Sequence, residues 1–395
     1  VECEQFVSAW KAKGQLLDLV SIIKNKLTFI FHELDSEAVV YTVFEVLNSR
    51  GLDVSWFDRL KSVLMGLAFE ANTGNQRDTV AELHRLWREI YNVIGLRQGL
   101  SAETLKVSAT LWSEDSLSRL LGEEDSVAVL REIATRSSTG VVEVTEWLLQ
   151  VVRAMDVLQK DQRRDGVTRI GQARLLAAAI SMRDDIPESD REKLLGLWER
   201  VSFRIYGISR KDARTKVGDY VRLARSTIRE RLTFAEIEQG LKNIGAEFPI
   251  TTVVSELRDS NRYTDWQQDL RYFLFRYEEH LAKQAGQKFD NGQWARIWEA
   301  TPSESIEHIH PQSKGDQQRS ASGIFVHRLG NLMLLPPRLN SKFRDIPPED
   351  KKDEYVQTGL HQASDVARRI PTWNREAIVK REDEMISWAE SHWAD

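Results

Sequence analysis

The side chains with the types and spacing to do chemistry lie together in one stretch of this 395-residue chain. Glu307 stands beside His308, Asn331 sits in Gly330-Asn331-Leu332, and Asn340 follows nine positions later. A carboxylate adjacent to a histidine on a strand points to the opposite face, so both serve one site only where the strand bends or ends. Asn340 lies three residues after Pro337, early in an expected helix, where its amide oxygen can turn back to the same place. Glu307 and Asn340 would then be metal ligands, two hard oxygens suited to Mg²⁺ or Mn²⁺ with waters and a phosphate oxygen in the remaining positions. His308, with an ordinary pKa of about 6.5, would be largely neutral at pH 7 and able to take a proton from water. His310 and His327 either line the same cleft or are structural histidines.

The elements that must position these groups read as strand, loop, strand, helix. Ser305 to His310 is the first expected strand, Pro311 to Arg328 a polar connection, and Leu329 to Leu335 the second strand. Pro336 and Pro337 then open a helix carrying Leu339, Phe343 and Ile346, with Pro favoured in the first turn. Elsewhere apolar residues recur at three- and four-residue steps, as in Leu60, Val63, Leu64 and Leu67, then Leu83, Leu86, Trp87, Ile90 and Val93, which predicts helices. Ser55 with Asp58, Ser189 with Glu192 and Thr233 with Glu236 mark helix starts. Ala71 to Arg77, Arg136 to Gly140 and Gln159 to Gly166 read as helix connections, and Trp87, Trp147 and Trp198 as core. Near the N-terminus, Leu27 to Phe31 reads as a strand and Glu37 to Leu47 as a helix.

Composition sets the class. Hydrophobic residues make up 41% and charged residues 29%, so the chain can build a core and is not dominated by disorder. The single cysteine, Cys3, closes no internal disulfide and builds no Cys-rich zinc site, which fits a reducing, cytoplasmic setting. No apolar run approaches the roughly 20 residues of a membrane helix. The net charge of −5 neither draws the whole chain to nucleic acid nor forbids it. Local charge differs: between Arg204 and Arg231 nine basic residues face three acids. Arg210, Lys211, Arg214, Lys216, Arg222 and Arg225 there are candidates for DNA phosphate contacts, with a solvated helix face as the alternative. Val1 is not a methionine, and the expectation is a fragment whose natural start lies upstream.

The run Ile306-Glu307-His308-Ile309-His310-Pro311-Gln312, with His327-Arg328-Leu329-Gly330-Asn331-Leu332 and Asn340-Ser341-Lys342-Phe343, resembles the C-terminal HNH (ββα-metal) nuclease domain of GmrSD-type modification-dependent restriction endonucleases. A closing helix with Ile378, Arg381 and Trp388 is similar to the family's. The resemblance implies His308 as general base, Glu307 and Asn340 as metal ligands, Asn331 as the residue that fixes the loop and orients the histidine, and Lys342 as a cleft residue. The metal would polarise the scissile phosphate and stabilise the leaving 3′ oxygen.

Phe44-Glu45-Val46-Leu47-Asn48-Ser49-Arg50-Gly51 resembles the last motif of the ParB/sulfiredoxin-like NTPase domain of the same proteins. Asn48 and Arg50 are candidates for a nucleotide or phosphate contact, although the segment also reads as a helix end with Gly51 left-handed. The family's Asp-Gly-Gln-Gln-Arg nucleotide motif does not occur, so NTP use would depend on an upstream NTPase-like domain or a partner. The resulting expectation is a mainly α protein, a helical bundle region with a C-terminal ββα-metal unit and a truncated α/β remnant at the N-terminus. Its expected divisions are 1–72, 73–232 and 233–395, with the nuclease core at 303–347. The implied function is metal-dependent nicking of modified DNA, such as glucosylated hydroxymethylcytosine or phosphorothioate DNA, in phage defence, with double-strand breaks needing two events or a homodimer. A non-catalytic DNA-binding or assembly module and an RNase on the same fold are the alternatives.

Overall fold

The structure, a computed structural model, describes residues 2–11, 14–26, 54–70, 76–137, 139–167, 169–258, 260–264, 266–287, 291–312, 325–370 and 372–395. The chain divides into two compact units, Val1–Asp53 and Val54–Asp395. In the first, the helices Glu2–Lys11 and Leu16–Asn25 are described. The strand expected at 27–31, the helix at 37–47, and Asn48 and Arg50 with their motif lie outside the described residues.

The larger unit is mainly helical because its sequence keeps the 3.6-residue period almost throughout. In the helix Gln76–Ile94 the expected stripe is buried at Leu83, Leu86, Trp87 and Ile90. Phe57 of the helix Trp56–Glu70 meets Trp87 edge-on at 5.4 Å between ring centres. These two helices pack with Gln98–Trp112, Glu123–Ala134 and Gly140–Lys160. The helix Gly171–Ser181 is buried at every position from Gln172 to Ile180, and a helix apolar on all sides must run through a core. It is enclosed by Gly140–Lys160, Glu188–Ser202 and Val217–Arg229. Its one buried cation, Arg174, is answered by Glu103 at 2.7 Å and Asp165 at 3.2 Å.

Local differences from the sequence reading have local causes. Thr233 and Glu236 form a reciprocal capping box, and the Ser55 hydroxyl accepts from the Asp58 backbone at 3.1 Å. Ser189 caps nothing, because Pro187 already flanks the helix Glu188–Ser202. The connection expected at 159–166 is mostly helical: Gly140–Lys160 is followed by a short helix, Gln162–Val167. Asp161 separates them, its carboxylate accepting from the Arg163 backbone at 2.9 Å.

No break falls at 232, where Phe234–Gly245 packs on Glu188–Ser202. An aromatic core of Phe203, Tyr272, Phe273, Trp388 and Trp393, with ring centres 4.6 to 5.3 Å apart along its chain of contacts, joins the helical middle to the C-terminal helices. Among the described residues the strands are β1 (Ile306–His308) and β2 (Leu332–Leu334), and no helix is long and apolar enough to cross a membrane.

Candidate active site

Strands β1 and β2 pair antiparallel, with Ile306 opposite Leu334, Glu307 opposite Met333 and His308 opposite Leu332. Both are shorter than the sequence predicts. A capped turn, Pro302–Ser305, with Thr301 and Glu304 in a reciprocal box, occupies the start of the first strand. Leu329–Asn331 is a 3-10 turn and not a strand. The following helix spans Pro337–Lys342, so Phe343 and Ile346 lie beyond it; Phe343 is fully buried against Tyr355, edge-on at 5.5 Å.

The 3-10 turn is pinned from two directions. The Asn331 amide accepts from the backbone of His310 at 2.9 Å and donates to the carbonyls of His310 and Val326 at 3.1 and 2.9 Å. From the C-terminal helix Arg375–His392, the wholly buried Arg381 donates to the carbonyls of Gly330 and Leu332 at 2.8 and 2.9 Å. A side chain on Gly330 would collide with the Ile378 carbonyl of that helix, which is why glycine stands there. Arg328 and Glu382 add a buried ion pair between the same two elements.

A cavity of about 690 Å³ opens beside β1, and Glu307, His308 and Asn340 all line it, with Tyr263, Arg344 and Asp345. Glu307 is 2% exposed. Its Oε1 accepts from the Lys351 ammonium at 2.7 Å and the Tyr355 hydroxyl at 2.8 Å. Burial pushes the Glu307 carboxyl above its ordinary value, and the Lys351 ammonium and Tyr355 hydroxyl offset only part of that rise. His308 is 9% exposed, and its Nε2 lies 3.1 Å from Nδ1 of His327. Burial first, then the neighbouring His327 and Lys351, lower its pKa to about 3, so the imidazole is neutral at physiological pH. Asn340 spends its amide nitrogen on the Glu304 and Ser303 carbonyls at 2.8 and 3.4 Å.

The remaining candidates are distributed differently. His327 stacks on Tyr263 at 5.5 Å with 8° between the rings, and Tyr263 also meets His308 edge-on at 4.4 Å. Asn331 and His310 are not among the residues that line the cavity, and the exposed Lys342 pairs with Glu354 at 2.7 Å. In the basic stretch Arg210, Lys211, Arg214 and Arg222 are exposed. Lys216 is held by Glu247 at 2.7 Å. Arg225 is buried, donating to the Ser113 carbonyl at 2.6 Å, so its guanidinium is out of reach of a phosphate.

Sequence reasoning missed Lys351, Tyr355 and Tyr263. Lys351 and Tyr355 share one face of the helix Pro348–Gln357 by their four-residue spacing, the one signal that pointed to them.

Among the described residues no group of three His, Cys, Asp or Glu side chains converges on a metal position. The oxygen-bearing candidates among the cavity residues are instead Glu307 and Asn340. Two hard oxygens fit a small divalent cation that keeps several waters.

Residues 252–388 match the family model for the C-terminal domain of the GmrSD restriction endonucleases. The matched segment takes in every cavity residue named above, together with Lys351 and Arg381. No curated protein matches the chain.

Proposed function

We propose that the chain is a metal-dependent endonuclease that nicks DNA in a restriction system directed at modified DNA. The observation that carries this reading is that Glu307, His308 and Asn340 line one cavity within the segment that matches the GmrSD family. Glu307 and Asn340 would hold Mg²⁺ or Mn²⁺, which when bound polarises the scissile phosphate and neutralises the leaving 3′ oxygen. His308 acts as the base. With Nε2 engaged by His327, Nδ1 accepts the proton of the attacking water, and the Nε2 hydrogen is shared with His327. Tyr263 packs against both rings and holds them in register. Asn331 fixes the loop behind them. The exposed Arg210, Lys211, Arg214 and Arg222 supply a local positive face for the DNA backbone on an otherwise acidic chain.

The test is conversion of supercoiled plasmid to open circles in Mg²⁺ or Mn²⁺. His308→Ala is expected to lower the nicking rate at least about a hundredfold, the usual worth of a general base, with duplex binding in a gel shift unchanged. Cleavage retained by His308→Ala removes the base assignment. Binding without cleavage by the wild type, in either metal and with modified DNA as substrate, favours a non-catalytic DNA-binding module. Cleavage confined to RNA favours an RNase.

A further inference from the structure

We propose that Lys351 is the resident counter-charge of the cation site, so that the metal is taken up together with DNA and not by the free protein. This deepens the nuclease reading and rests on it. Lys351 is fully buried, and its three ammonium donors have three acceptors within reach: Oε1 of Glu307 at 2.7 Å and the carbonyls of His308 and Ile309 at 3.1 and 3.2 Å.

Two consequences follow from that geometry. The carbonyls of His308 and Ile309 both face Lys351, which turns the chain at the end of β1. Just before that end Glu307 and His308, neighbours that a straight strand would send to opposite faces, both border the same cavity. The second consequence is electrostatic. Glu307 is neutralised before any cation arrives, and its Oε1 is taken twice, by Lys351 and by Tyr355, leaving one oxygen as a single-point ligand. Among the described residues the other charges at the cavity are few: Arg344 and Asp345 are of opposite sign, and Glu304 keeps its charge but spends Oε2 on the backbone and hydroxyl of Thr301 at 2.9 and 2.7 Å. A divalent cation therefore meets a weak site in the free protein. A DNA phosphate brings both the missing charge and a further oxygen ligand.

Mn²⁺ binding followed by electron paramagnetic resonance reads this directly. The full chain is compared alone and with a linear duplex, His308→Ala being used in both arms to prevent cutting. Binding is expected to tighten at least about tenfold when DNA is present. Lys351→Met, which removes the charge but keeps the volume, is expected to bind Mn²⁺ about tenfold more tightly than its parent without DNA. Equal affinity with and without DNA overturns the proposal, whether or not Lys351→Met folds. A folded Lys351→Met that binds no more tightly overturns it as well. Absence of Mn²⁺ binding even with DNA, joined to an intact plasmid, overturns the metal-dependent nuclease reading itself and the proposal with it.

Discussion

Asn331 makes four hydrogen bonds with one side chain, two to the backbone of His310, one to Val326 and one from the Trp373 indole. Removing it strands buried backbone groups on both sides of the loop. Asn331→Ala is expected to destabilise the larger unit by about 2 to 4 kcal/mol, one or two unsatisfied groups at about 1 to 3 kcal/mol each, read as a lower midpoint in urea. It should also abolish nicking at temperatures where the fold persists, since the loop behind His308 loses its pin. The pattern of Glu307, His308, Asn331 and Asn340 was legible because it is a matter of order and spacing. Lys351 was not. It sits in Pro348-Glu349-Asp350-Lys351-Lys352-Asp353-Glu354, a run that reads as solvated charge, and only the packing of its helix against β1 decides that this lysine and not the next is buried.

The helices of this chain were legible from period and caps, whereas the strands were not sized correctly. A two-strand ladder of three residues each leaves little alternation to read. Its ends are set by side-chain contacts from elsewhere: the Thr301–Glu304 box before β1 and the Asn331 pin before β2. The closing helix Arg375–His392 carries its own testable feature. His392 stacks on Trp388 at 4.9 Å with 22° between the rings, and burial, aided by Arg276, His280 and Arg200, lowers its pKa to about 3. A group whose pKa is lower folded than unfolded stabilises fully above the unfolded value, about 6.5, and loses that contribution as pH falls towards 3. Stability is therefore expected to fall on acidification from about pH 6.5 to pH 4, by up to about 1.4 kcal/mol per pH unit from this one group, read as a lower melting temperature. His392→Phe, which keeps a ring on Trp388 without a charge to gain, should make that decline shallower. An unchanged acid profile would remove the assignment.

At the scale of the whole molecule, net charge hides local charge. The chain carries −5 overall, yet Arg210, Lys211, Arg214 and Arg222 are each exposed, Arg222 in an ion pair with Asp219 at 2.6 Å. Replacing all four with Gln should flatten the dependence of log Kd on log salt by about 0.9 for each phosphate that is no longer neutralised, measured by fluorescence anisotropy with a duplex; an unaltered slope would assign DNA binding to another face. The sequence reading separated 73–232 from 233–395, but the aromatic core from Phe203 through Tyr272 to Trp393 makes that line invisible in space. Packing between residues nearly two hundred positions apart leaves no trace in local periodicity.

The supports for the site come late in the chain. Lys351 braces β1 from 43 residues past His308, and Arg381 braces the 3-10 turn from 51 residues past Gly330. The motif from Ile306 to Asn340 is therefore not a portable cassette. Grafted onto another scaffold it would arrive without its floor, and a lineage that shuffles such domains must pass on the two helices that carry Lys351 and Arg381 along with the candidate site residues they steady. A break in the exposed turn at Gly359 would yield two halves, one with the reactive groups and one with half their footing, competent only after they find each other again.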